Sequence, residues 1–137
     1  MKLVLATHND GKILEMQYAL SDIAVDLLTL KEFPHIGEIP ETGSTLIENA
    51  FIKAETVFIE TGISALADDT GLEIDVLNGE PGVYSARYAG ENASYLENCA
   101  KVLNKLDGTR IEDRTARFRT VMAYVGKNEK FLSLIHI

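Results

Sequence analysis

The sequence predicts an α/β layered domain in which helices cover a sheet. Strand-like and helix-like patterns are mixed along the whole length instead of separating into two halves. The 137 residues, 46% of them hydrophobic, are enough for one domain with a core and too few for two.

The elements follow in order. Residues 2–6 read as a short buried strand, after which the polar stretch Thr7-His8-Asn9-Asp10-Gly11 leads into a helix. Ile13, Met16, Leu20 and Ile23 recur at helical spacing and define its packed face. Residues 26–41 are strand-like and then loop, because Pro34 and Pro40 bar regular structure at their own positions. Thr45 followed by Glu48 is a capping-box pattern, and it opens a second helix. That helix carries an apolar stripe of Ile47, Ala50, Phe51, Ala54, Val57 and Phe58, and Gly62 ends it. Residues 64–67 form a short strand running into Asp68-Asp69-Thr70-Gly71; Leu72, Ile74 and Val76 then alternate with Glu73 and Asp75 as in a half-buried strand. The aspartate pair is thus expected on a connection between two strands. Asn78-Gly79-Glu80-Pro81-Gly82 is a dense turn signal. Ser94 with Glu97 opens a third helix with Leu96, Cys99, Leu103 and Leu106 on its inner face, and Asp107-Gly108 closes it. A strand over 116–125 and an apolar stretch over 131–137 finish the chain.

Composition excludes several function classes. A formal charge of −8 and a pI near 4.8 lack the basic footprint of proteins that hold nucleic-acid backbone, so no nucleic acid polymer is expected as a partner. A small polyanion remains compatible, since a few fixed donors and a bound divalent cation dominate the field at a site. The single Cys99 cannot form an internal disulfide, and no Cys and His residues have zinc-site spacing. The N-terminal apolar run is too short for a signal peptide or a membrane span, so the expected location is cytoplasmic with no membrane partner.

Three constellations offer chemistry. In the first, Thr7 to Lys12 link a strand to a helix N-terminus, where unpaired backbone N–H groups attract phosphate and Lys12 adds a cation. It is not a Walker A loop, since Ile13 stands where that motif needs Ser or Thr. Taken alone, the stretch favours an ordinary capped helix with a solvated lysine. The second is Glu41 with Asp68 and Asp69, oxygen ligands of the kind magnesium takes, although an Asx-type turn also accounts for the aspartates. Asp69-Thr70-Gly71 also matches the aspartic-protease tripeptide, which chain length and the lack of a second copy disfavour. The third is Lys53, one turn beyond Asn49 on the second helix, which read alone is a solvated helix lysine. Arg87 suits a phosphate contact, a subunit contact or a surface ion pair.

Four stretches, in this order, carry a resemblance: residues 5–12 (LATHNDGK), 41–50 (ETGSTLIENA), 67–72 (ADDTGL) and 78–88 (NGEPGVYSARY). Together they resemble the inosine triphosphate pyrophosphatase family from Leu3 to about Val125. The resemblance implies a three-layer helix/sheet/helix fold with a central mixed sheet, the fold shared by Maf-like and Ham1-like proteins. It implies hydrolysis of purine nucleoside triphosphates such as ITP, dITP and XTP to the monophosphate and pyrophosphate, with Mg2+ as cofactor. Carried over residue by residue, Thr7, Asn9 and Lys12 grip the triphosphate, with His8, Asp10 and Gly11 in the same loop and Lys53 and Thr70 completing the phosphate contacts. Glu41 and Asp69 hold the metal, Asp69 serves as base for the attacking water, and Asp68 and Lys12 stand with it as catalytic residues. A homodimer is implied for the full-length protein.

Family members continue into a glycine-rich segment, a later lysine and a Ser-His-Arg motif that this sequence does not contain. Residues 1–131 are therefore read as the N-terminal part of a single nucleotide pyrophosphatase domain and 132–137 as a non-native tail. The rival readings are a Maf-like pyrophosphatase of different base preference and an inactive nucleotide-binding or dimerising fragment.

Overall fold

The computed structural model describes residues 1–136, so the last residue of the expected tail lies outside the described residues. It is an α/β fold with a mixed central sheet and three helices, as expected. In chain order the elements are β1 (Lys2–Leu5), α1 (Asp10–Ala19), β2 (Asp26–Thr29), α2 (Leu46–Thr61), β3 (Ala65–Ile74), β4 (Pro81–Gly82), α3 (Tyr95–Lys105), β5 (Ala116–Gly126) and β6 (Glu129–His136). The strand order is β2-β1-β3-β5-β6, with β4 paired to β3. β1 runs parallel to β2 and to β3, whereas β4 is antiparallel to β3. Most of the segment expected to be a non-native tail forms part of β6.

Two compact units can be described separately. The first comprises Met1–Asp69 and Val121–Ser133. Its core gathers Leu5, Ile13 and Met16 with Leu27, Leu66 and Met122 packed against them. Helix α2 adds Ala50, Ala54 and Val57, all fully buried, while Ile47, Phe51 and Phe58 of the expected stripe are only half-buried. The capping box at Thr45 and Glu48 forms as read, and Gly62 ends α2 in the left-handed region at φ 68°. Helix α1 is shorter than its apolar spacing suggests. It stops at Ala19, Leu20 serves as its C-cap, and Ile23 lies exposed. Ser21 and Asp22 explain the early stop, since short polar side chains compete with the helix for backbone groups.

Strand β3 corrects a second expectation. It is continuous from Ala65 to Ile74, so Asp68 and Asp69 lie within a buried strand and not on a connection between two strands. An extended backbone is tolerable there because each carboxylate has a lysine partner, described below, and needs no turn to reach water. The alternation extended to Val76 also stops early, as residues 75–77 form a 3-10 turn.

The second unit comprises Thr70–Thr120 and the end of the chain from Leu134. Here α3 departs from the apolar face read for it: Leu96 and Leu103 are exposed, Cys99 is half-buried and only the C-cap Leu106 is buried. Polar groups hold this helix instead. Asn98 donates to the Ala86 carbonyl and accepts from the Ala89 N–H, and Lys101 donates to the Tyr88 carbonyl. Counting apolar residues at helical spacing misses a helix docked by an amide and an ammonium.

The cap of α2 can be tested by itself. Thr45 Oγ1 accepts from the Glu48 N–H at 3.1 Å, and the Glu48 carboxylate accepts in return from the Thr45 N–H. Thr45→Ala removes one half of this reciprocal pair, so the expected loss is about 1 kcal/mol in chemical denaturation. A loss within experimental error would mean that the cap contributes nothing to holding α2.

Candidate functional site

The site is built where β1 ends. Leu5 pairs with Leu66, and the Ala6 N–H donates to the Leu66 carbonyl at 2.8 Å, which sets residues 6–7 beside the aspartate pair on β3. The carboxyl ends of parallel strands are where open α/β sheets bind ligands.

The loop that follows β1 is shaped by its own short side chains. Thr7 Oγ1 accepts from the Asn9 N–H at 3.2 Å. Asn9 caps α1, its Oδ1 accepting from the Lys12 N–H at 3.1 Å. A Cβ on Gly11 would come within 3.2 Å of that Asn9 oxygen, so the first turn favours a residue without a side chain. Lys12 extends from this turn and meets Asp68 Oδ2 at 2.5 Å.

A second lysine completes the arrangement. Lys53, on α2, lies 2.9 Å from Glu41 Oε1 and 3.5 Å from Asp69 Oδ1, and its side chain is 13% exposed. Neither lysine is the solvated surface cation that its stretch read alone suggests, since both are engaged by carboxylates. Glu41 lies on the loop before α2, and Asp69 on the strand that follows it, so α2 brings the two acids to one charge. Burial pushes the Asp69 carboxyl above the ordinary range; Lys53 opposes this, Glu41 adds to it, and the neighbouring Asn49 amide and the Lys12 charge pull it down.

Other members of the expected set stand elsewhere. His8 has its Nε2 3.1 Å from the Gly37 carbonyl oxygen. Asp10 is exposed and pairs with Lys31 at 2.8 Å, a contact that lowers its carboxyl through hydrogen bonding and charge. Thr70 belongs to the second unit, where its hydroxyl lies 2.9 Å from that of Thr120. Arg87, also in the second unit, lies 3.9 Å from Glu91 and over the Tyr84 ring.

The sequence reading gave Asn49 no role beyond its spacing from Lys53. It is fully buried, and its Oδ1 accepts from the Gly43 N–H at 2.7 Å. A polar residue bordering an apolar stripe was the available signal, because a buried amide needs partners.

The donor chemistry suits magnesium. Glu41 and Asp69 offer hard oxygens and already converge on one positive charge, that of Lys53. Among the described residues no group of three or more His, Cys, Asp or Glu side chains is arranged to hold a metal. Magnesium takes one or two carboxylates with substrate phosphates and water, so a pair is a sufficient protein share. Among the described residues no helix is long and apolar enough to cross a membrane.

Comparison with known proteins gives this geometry a family. The family model described as Ham1 family matches residues 3–135. The chain belongs to the Ham1 family. It is 52% identical over 121 residues to a dITP/XTP pyrophosphatase of Vibrio vulnificus strain YJ016, which covers 88% of this chain and 60% of that protein. A dITP/XTP pyrophosphatase of Geobacter sulfurreducens is 46% identical over 138 residues, covering 98% of this chain and 69% of its own. Among solved structures, a HAM1 protein from Coxiella burnetii matches with a TM-score of 0.90 at 41% identity, over 99% of this chain and 70% of that one. The Staphylococcus aureus Ham1 protein matches with a TM-score of 0.86 at 38% identity, over 100% and 70%. The chain thus spans about 60% of the length of several curated relatives it matches.

Proposed function

We propose that this protein hydrolyses triphosphates of deaminated purines, ITP, dITP and XTP, to the nucleoside monophosphate and pyrophosphate. The observation that carries the reading is the convergence of Glu41 and Asp69 on Lys53 beside the Lys12–Asp68 pair. The names of the relatives, dITP/XTP pyrophosphatases, supply the substrate class.

Each residue has a part in this proposal. Thr7, Asn9, Gly11 and Lys12 form the phosphate loop at the N-terminus of α1, where unpaired N–H groups and the lysine face anionic oxygen. His8 and Asp10 shape that loop from outside, through Gly37 and Lys31 respectively. Lys53 is a second phosphate cation, and substrate oxygens compete with Glu41 and Asp69 for it. Thr70 follows directly on Asp69 and offers a hydroxyl to phosphate. Glu41 and Asp69 hold Mg2+, which when bound neutralises phosphate charge and lowers the pKa of coordinated water. Asp69 takes the proton of the attacking water. Asp68 keeps Lys12 in place until phosphate arrives. Water adds to phosphorus, the bond to the pyrophosphate oxygen breaks, and the proton leaves through Asp69. On this reading the whole protein works in the cytoplasm as a homodimer.

Base selectivity is the test. Pyrophosphate release from dITP and XTP should exceed release from dATP and dGTP in the presence of magnesium. Equal rates across all four nucleotides, or none with any, would defeat the proposal.

A further inference from the structure

The Glu41 loop has no regular structure of its own, yet Glu41 must stand within reach of Asp69 for a shared metal. Asn49 anchors that loop. Its side chain is fully buried one turn before Lys53, its Oδ1 accepts from the Gly43 N–H at 2.7 Å, and its amide nitrogen is buried with no hydrogen-bond partner among the described residues. Gly43 lies two residues after Glu41, so this bond fixes the loop where it carries the carboxylate. The approach is close enough to exclude a side chain. A Cβ on Gly43 would fall 2.6 Å from Asn49 Oδ1 and 2.6 Å from Glu48 Cβ. Glu48 anchors the same loop a second time, its Oε2 accepting from the Ser44 N–H at 2.6 Å, from the Ser44 hydroxyl and from the Thr45 N–H.

We infer that Asn49 is a positioning residue for the metal site, clamping the Glu41 loop through the Gly43 N–H, so that one buried amide ties the loop that carries Glu41 to the helix that carries Lys53. The inference rests on the proposed metal role of Glu41 and Asp69. An amide suits this task because its oxygen accepts from the loop without adding a third charge beside the two carboxylates. Outer partners of metal ligands act in this way, and losing one lowers metal affinity by roughly 10- to 100-fold.

Magnesium alone is titrated calorimetrically into the 137-residue chain and into Asn49→Ala, Gly43→Ala and the double variant, at a temperature where all remain folded. Each single substitution should weaken binding by roughly tenfold. The double variant should lose clearly less than the product of the two, because both break the same clamp. In parallel, hydrogen exchange of the Gly43 amide should accelerate in Asn49→Ala. Should Asn49→Ala fail to fold, Gly43→Ala carries the test, since it leaves the buried amide in place. Unchanged magnesium affinity in the folded variants, independent multiplicative losses, or an unchanged Gly43 amide would overturn the inference while leaving the metal assignment standing. No magnesium binding by the wild-type chain would overturn both.

Discussion

Asp69→Asn should lower pyrophosphate release from dITP by at least about 100-fold while leaving the protein folded, since a positioned general base contributes roughly 10²–10⁴-fold. The substitution removes one metal ligand charge and the proton acceptor at nearly constant volume. A stability measurement separates this from simple damage. Burial holds the Asp69 carboxyl above its ordinary value, so the folded protein binds this proton more tightly than the unfolded chain does. The sign follows directly. Ionised Asp69 opposes folding above its folded pKa, the penalty fades as pH falls between the folded and unfolded values, and below the ordinary carboxylate range it is absent. In magnesium-free buffer at neutral pH, Asp69→Asn should therefore melt no lower than wild type, and any gain should vanish in acid. A variant that melts well below wild type at neutral pH, or that keeps wild-type turnover with saturating magnesium, contradicts these roles.

Lys53→Met should have the second large effect, on stability as well as on activity. Lys53 is 13% exposed and holds Glu41, 28% exposed, and Asp69, 10% exposed by side chain. Removing it takes from both carboxylates the cation they share. Breaking a buried pair from one side costs about 3–5 kcal/mol, and the partial exposure of Glu41 brings the expected loss to about 2 kcal/mol. Magnesium should restore part of that loss, because a cation bound by the folded state alone stabilises it by mass action. Denaturation curves with and without magnesium read both effects. A loss below about 0.5 kcal/mol, the range of ordinary surface substitutions, would return Lys53 to a solvated helix lysine.

Much of the site was legible because its residues lie in short ordered stretches with local logic. The box at Thr45 and Glu48 and the stop at Gly62 are backbone requirements that single residue types satisfy, and both form. Sequence spacing gave no means of pairing charges that lie far apart along the chain. Lys12 with Asp68, and Lys53 with Glu41 and Asp69, meet only because β1 and β3 are parallel neighbours and α2 precedes β3. The same blindness explains the aspartate pair. Asp-Asp-Thr-Gly reads as a turn when the aspartates must find water, and remains strand when lysines reach them. Asn49 was missed because its partner is a backbone N–H on a loop. For α3 the error ran the other way, since apolar spacing was present but Asn98 and Lys101 make the docking contacts.

The placement of the metal is the point on which the account most depends, and manganese can report it directly. In a uniformly labelled sample, substoichiometric Mn2+ broadens amide signals according to their distance from the ion. Broadening centred on Glu41, Asp68 and Asp69, and relieved when excess Mg2+ displaces the Mn2+, is the expected result. Broadening centred instead on the other acidic group of β3 and its following turn, Glu73 and Asp75 with their Arg117 partner, would place the metal away from the proposed site and contradict it.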